Sequence, residues 1–456
     1  PLRALPVLRT TRRRPPAARA ASQMGPTARE REERAEESAS AADVRRNFCW
    51  FAVQFAINQT VVTTPLAIAS SRLDGNVGFI GNALLNVFSM LSSFCVALPV
   101  LGYCGLKPTL LIGMTCSCAY ITLFACAVWF PMSQPGWQML LFATGSCCGG
   151  IGSGIVWTSQ GSYFARSADL IARKEGTERA VLTSEMAGLF AMFFLGFEVC
   201  SKLLWSLLDF AGVRPLLTAS LFACVGFGAL ALMTRVLALG VPAVDRQADG
   251  CASKMRSTVA LWHDPAVFLL SGVNLTFGFS AAFLNGYVNK DFTAKLLGHY
   301  AVPMLAALTP LVASVLARLF GPLGAHAGKG LVLCIGSAAF FCIPVAFFLL
   351  TQVGAWRGWL VVLYVLQGVG RAVYESTSKG IFADFFPRDS GGAFANCMLQ
   401  CSTAFAVCFF LSSVLTGPNL AAISGTLSVL TPLGFAAALR LRRSTATACE
   451  RTALAS

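Results

Sequence analysis

The chain has 456 residues, 55% of them hydrophobic and 12% charged, with a formal net charge of +14. A soluble domain carries about twice that charged fraction and shorter apolar runs, so the composition excludes a water-soluble enzyme or binding module. The charge is uneven: 11 of the 35 Lys and Arg are arginines within the first 46 positions.

Residues 1–46 read as a disordered, Arg-rich N-terminal tail. Positions 1–23 hold arginine, proline and alanine without an acid, and Arg29 to Glu37 is a mixed-charge run. An acid-free basic leader is also the composition of an organelle transit peptide, and Met24 is a candidate start, so both readings stand. Beyond the tail the chain is a series of apolar stretches. A bilayer core about 30 Å thick takes about 20 apolar residues in a helix. Twelve segments qualify: 48–70, 77–101, 109–130, 136–164, 182–208, 214–240, 265–288, 299–320, 330–350, 358–381, 391–415 and 418–439. The expected fold is therefore an all-α polytopic membrane protein of twelve transmembrane helices.

The longest polar segment between spans, 241–264, has six spans on either side. It predicts an N-terminal six-helix half at 47–240, a cytoplasmic linker, a C-terminal half at 265–441 and a tail at 442–456. Transporters built from two parallel repeats share that plan. With the N-terminus in the cytosol, 28 Lys and Arg fall on the inner side and five on the outer, while Lys202 and Arg371 lie inside spans. That bias follows the positive-inside rule with both termini cytoplasmic. Orientation and a basic tail facing anionic lipid account for the net charge, and no nucleic-acid partner is needed.

Most of the 17 Cys lie within apolar spans and read as small packing residues. The histidines, His263, His299 and His326, are far apart, and no metal-ligand spacing appears. The N-x-[ST] matches at Asn58 and Asn274 fall inside spans, which discounts them as glycan sites. Ser376-Thr-Ser-Lys379 spells S-x-x-K without the rest of an acyl-enzyme site. No cofactor, metal or enzyme activity is expected.

A charge at the bilayer centre costs at least about 2.5–3.5 kcal/mol and normally faces a bundle interior or wet cavity. The fifth span carries Glu198 and Lys202, an i,i+4 pair in the favourable order. In the tenth, Arg371 lies about 3 Å from the midpoint, with Glu375 and Lys379 successively nearer the cytoplasmic end. Glu375, one turn away, is the expected partner of Arg371, and Lys379 is expected to snorkel. Two internal echoes support the two-half plan. LGYCGLKPTLLIG after the second span matches GPLGAHAGKGLVLCIG after the eighth, and GGIGSGIVWTSQG matches QGVGRAVYESTSKG in the fourth and tenth.

Three blocks carry a family resemblance. They are Gly150-Ile-Gly-Ser-Gly-Ile-Val-Trp157-Thr-Ser-Gln160-Gly161-Ser-Tyr163; Gly78-Phe-Ile-Gly81-Asn with Leu101-Gly-Tyr-Cys-Gly-Leu-Lys107; and Gly370-Arg-Ala-Val-Tyr-Glu375 through Ala383-Asp-Phe-Phe-Pro387 to Ala393-Phe-Ala-Asn396. On these residues the chain resembles the Unc-93-like family of the major facilitator superfamily, over about 47–439. Of the facilitator loop motif only Gly102, Gly105 and Lys107 fit. The resemblance implies that helices one, four, seven and ten line a central cavity. Asn58, Gln59, Trp157, Gln160, Asn274, Arg371 and Glu375 are then the expected substrate or ion pathway, with Glu198 and Lys202 an intramembrane ion pair. Asn82, Asn86, Asn396 and Gln400 are expected to bond helices together. The implied function is a carrier moving a small solute or ion by alternating access, in the plasma membrane or an endomembrane. The family also includes non-transporting members, so the alternative is an accessory protein acting on another membrane protein, as an ion-channel regulatory subunit or a trafficking escort.

Overall fold

The computed structural model describes residues 36–240, 256, 258–350, 356–386 and 390–455, which form helices and, among the described residues, no strand. The transit reading, Met24 and most of the tail and linker lie outside them. The long helices are α1 (Ala41–Arg72), α2 (Val77–Cys95), α3 (Leu106–Trp129), α4 (Pro135–Glu175), α5 (Arg179–Phe210) and α6 (Pro215–Met233) in the first half. In the second half come α7 (Pro265–Phe283), α8 (Ala301–Ala327), α9 (Lys329–Leu349), α10 (Trp356–Val373), α11 (Ser390–Leu411) and α12 (Gly417–Ala455). Eleven of the helices are long and apolar enough to cross a membrane. The exception is α10, whose apolar run is interrupted by Gln367 and Arg371 but which continues through a π turn, Tyr374–Ser378, into Lys379–Phe385. A longer π segment, Leu284–Thr293, likewise extends α7.

Local chemistry sets the ends. Ser40 and Asp43 form a reciprocal capping box at the start of α1, and Pro occupies the first turn of α4, α6 and α7, where its missing N–H costs nothing. Gly176 ends α4 in the left-handed conformation, φ 68°. The second predicted span, 77–101, is broken at Val96 into α2 and Ala97–Cys104. Pro99 has no N–H for the Cys95 carbonyl, and the break falls in the turn before it.

The fourth and tenth segments, paired as echoes in sequence, pack alike. A Cβ on Gly150 would stand 2.5 Å from the Leu85 carbonyl of α2, and one on Gly152 would stand 2.7 Å from the Gly113 carbonyl of α3. In α10, Gly368 meets Val312 and Thr309 of α8, while Gly370 meets Phe340 of α9. Each G-x-G thus seats one helix on the two preceding it by two and by one, the small-residue packing that membrane helices use.

Helix α1 begins at what is here called the near face. There Arg45 binds Glu175 and Glu185, at the end of α4 and the beginning of α5. Arg166 pairs with Glu36, which also accepts from the Gly240 amide.

Candidate functional site

Halfway along the bundle the two halves meet through charge. Arg371 of α10 donates from Nη1 and Nη2 to the two oxygens of Glu198 on α5, at 3.0 and 2.8 Å. Lys202, one turn along α5, donates to Glu198 at 2.7 Å and makes a long contact, 3.5 Å, with the Ala306 carbonyl of α8. Side-chain exposure is 3% for Glu198, 6% for Lys202 and 14% for Arg371. The expected Arg371–Glu375 pair is therefore overturned. A partner on the same helix competes with one across the bundle, and the guanidinium spans the gap to bind both carboxylate oxygens, the stronger geometry. Glu375 instead accepts from Lys379 at 2.8 Å. Lys379 is thus paired, and it lies over the Tyr374 ring, 5.9 Å from its centroid. Exposure rises beyond α10, through the π turn, to 34% at Glu375 and 48% at Lys379, so the charge cluster opens toward the near face. Tyr374 stacks on Phe277 of α7, 4.0 Å between centroids. One turn before Arg371, buried Gln367 accepts from Ser280 of α7 at 2.8 Å.

The far face is tied shut. Ser70 of α1 donates to the Asn285 carbonyl at 2.8 Å, Asn289 to the Ala67 carbonyl at 2.6 Å, and Ser206 of α5 to the Tyr300 carbonyl at 2.7 Å. Lys290 reaches the Gly75 carbonyl, and Tyr364 of α10 steadies Asn289. Each of the first four contacts joins the N-terminal half to the C-terminal half. His299, in the turn between α7 and α8, lies beside the Arg72–Asp209 pair. Burial, and then the Arg72 charge, push its pKa below the usual imidazole range.

The uncharged candidates are spread over different surroundings. Asn58 is fully buried and turned to α3, 3.5 Å from the Met114 carbonyl and from Cys118 Sγ. Gln59 donates to Asn58 at 3.2 Å and lies 3.5 Å from Ser117 of α3. Both therefore face a helix within their own half and not Arg371. Trp157 is edge-on to Phe55 and Phe194 in an aromatic cluster, and Gln160 is half-buried one turn beyond. Asn274 of α7 donates to Gln400 of α11 at 2.7 Å. Asn82 bonds the Leu66 carbonyl of α1, while Asn86 bonds back to Asn82 in its own helix. Asn396 receives the Trp262 indole N–H and bonds the Thr258 carbonyl. Sequence reasoning missed Gln367, a polar residue four positions before Arg371 in an apolar run, and the polar VNK stretch at 288–290. Among the described residues no group of three or more metal-ligating side chains comes together.

No protein-family model matches the chain. Among curated proteins it is similar to unc-93 homolog A of Bos taurus, 24% identical over 366 residues, covering 72% of this chain and 78% of that one. The Danio rerio unc-93 homolog A is 24% identical over 396 residues, covering 76% and 80%. Among solved structures, the nucleoside transporter NupG superposes with a TM-score of 0.62 at 12% identity, covering 87% of this chain and 99% of that one. The xylose transporter XylE from E. coli, in a partially occluded inward-open conformation, gives 0.60 at 13%, covering 87% and 97%. The POT family transporter PepTSo gives 0.62 at 10%, covering 88% and 98%. The chain is thus similar over about three quarters of its length to the unc-93 homolog A proteins, and it shares the fold of these solved transporters.

Proposed function

We propose that the chain is a carrier that moves a small solute or ion across its membrane by alternating access, with the Glu198–Lys202–Arg371 cluster at its centre. One observation carries this reading: a buried carboxylate of the first half is held by an arginine of the second, at the junction about which the halves would rock. Charges are kept at that depth only at a cost, and a pair that can separate and reform is the two-state element a rocking cycle requires. On the bias of Lys and Arg the near face is proposed to be cytosolic, so the far-face contacts would close the protein to the outside. Asn58, Gln59 and Asn274, engaged with neighbouring helices, are proposed to support the pathway's walls; Trp157 and Gln160 are proposed to line it on the α4 side.

The test is flux in proteoliposomes for a panel of solutes and ions, K⁺ and H⁺ included, with wild type and Glu198→Gln. Flux that the variant abolishes supports the carrier. No flux from either protein, both folded, overturns it in favour of an accessory role on another membrane protein.

A further inference from the structure

The central cluster holds more positive charge than negative. Lys202, Arg371 and Lys379 face Glu198 and Glu375, three cations against two carboxylates. The five form one electrostatic group, since Glu375 feels Arg371, Lys379 and Glu198. The hydrogen bonding is lopsided in the same sense. With both terminal nitrogens of Arg371 on Glu198, its Nε–H is buried with no acceptor. The Nε2 of Gln367 is a second buried donor without an acceptor. The two residues are i,i+4 on α10, about 5–6 Å apart at Cβ. Buried donors are normally satisfied, and each orphan costs the desolvation of its group. One negative charge bearing acceptor oxygens would correct both deficits at once.

We infer that the site takes a small organic monoanion, a carboxylate, seated against the Nε edge of Arg371 and the amide of Gln367. Glu198 occupies both terminal nitrogens of Arg371 and leaves the Nε edge free, while its own charge competes with the ligand's. The carboxylate enters from the near face past Lys379 and Glu375, where exposure rises beyond α10. This deepens the carrier reading by naming a substrate class, but it is a statement about binding and holds or fails without any flux.

The experiment is a thermal melt of the purified full chain in detergent, titrated with sodium acetate and sodium benzoate. Sodium chloride at equal ionic strength and benzamide are the controls. A saturable rise in Tm with a carboxylate, absent with chloride and benzamide, is expected. Arg371→Gln should abolish it. Glu198→Gln removes a competing carboxylate and raises the cluster's net charge to +2, so half-saturation should fall about tenfold. Arg371→Lys keeps the charge and a partner for Glu198 but has no Nε, and should raise half-saturation at least tenfold; it decides the matter where the neutral variants do not purify folded. No saturable shift with either carboxylate, or one that chloride reproduces, overturns the inference. A shift unchanged in Arg371→Lys also overturns it.

Discussion

Arg371 holds Glu198 through both terminal nitrogens although 173 residues separate them in sequence. Removing Glu198 leaves Arg371 and Lys202 buried without their shared carboxylate, and removing Arg371 leaves Glu198 with Lys202 alone; breaking such a buried pair costs about 3–5 kcal/mol. Arg371→Gln and Glu198→Gln should each lower the melting temperature markedly. The double variant should lose clearly less than the sum, because it buries no unpaired Arg371. A double-mutant cycle on melting in detergent reads this; strict additivity would mean that the pair carries no coupling.

The α2–α4 seam should tolerate no added methyl group. A Cβ at Gly154 would meet Ser93 N at 2.6 Å and Ser89 O at 2.7 Å, both backbone atoms that cannot rotate away. Gly154→Ala should therefore destabilise by about 1–3 kcal/mol. Gly161→Ala, on the same helix with open space around it, should be close to neutral. Comparing their melting curves checks the packing directly.

The far face should loosen when its ties are cut. Asn289→Ala removes the donor to the Ala67 carbonyl and the acceptor of Tyr364. Amide hydrogen exchange should rise in peptides covering 284–297 and 65–76 and stay unchanged in the near-face ends of α4 and α5. Unchanged protection at 284–297 would show that these bonds do not hold the halves together.

Acid should weaken the same face. The pKa of His299 is lowered in the folded state, so the unfolded chain binds the extra proton first. The contribution is complete above the unfolded value of about 6.5 and is lost as pH falls through that value toward the folded one. Between pH 7 and 5 the wild-type melting temperature should drop more than that of His299→Gln; parallel curves would remove His299 from the account.

Helix positions were legible because the bilayer demands long apolar runs, and the charged pair Glu198–Lys202 was legible because i,i+4 spacing is a local property. The partner of Arg371 was not. Spacing along one helix sees Glu375, while the bidentate acceptor lies on another helix in the other half. The facing of Asn58 and Gln59 was hidden for a related reason. Helix α1 is buried nearly all round, so no hydrophobic stripe distinguishes its central side from the side against α3. The G-x-G echo read better than its length suggested, because close helix contact constrains those positions in both halves alike.

The π turn at Tyr374–Ser378 bears on how relatives should be compared. An i→i+5 turn accommodates one residue more than an α turn, the trace left by a single insertion. In a relative whose tenth helix is wholly α-helical, residues beyond this point would be rotated by about 100°. The counterpart of Lys379 then belongs one column away, and an alignment drawn without a gap would match it to a residue on a different side of the helix.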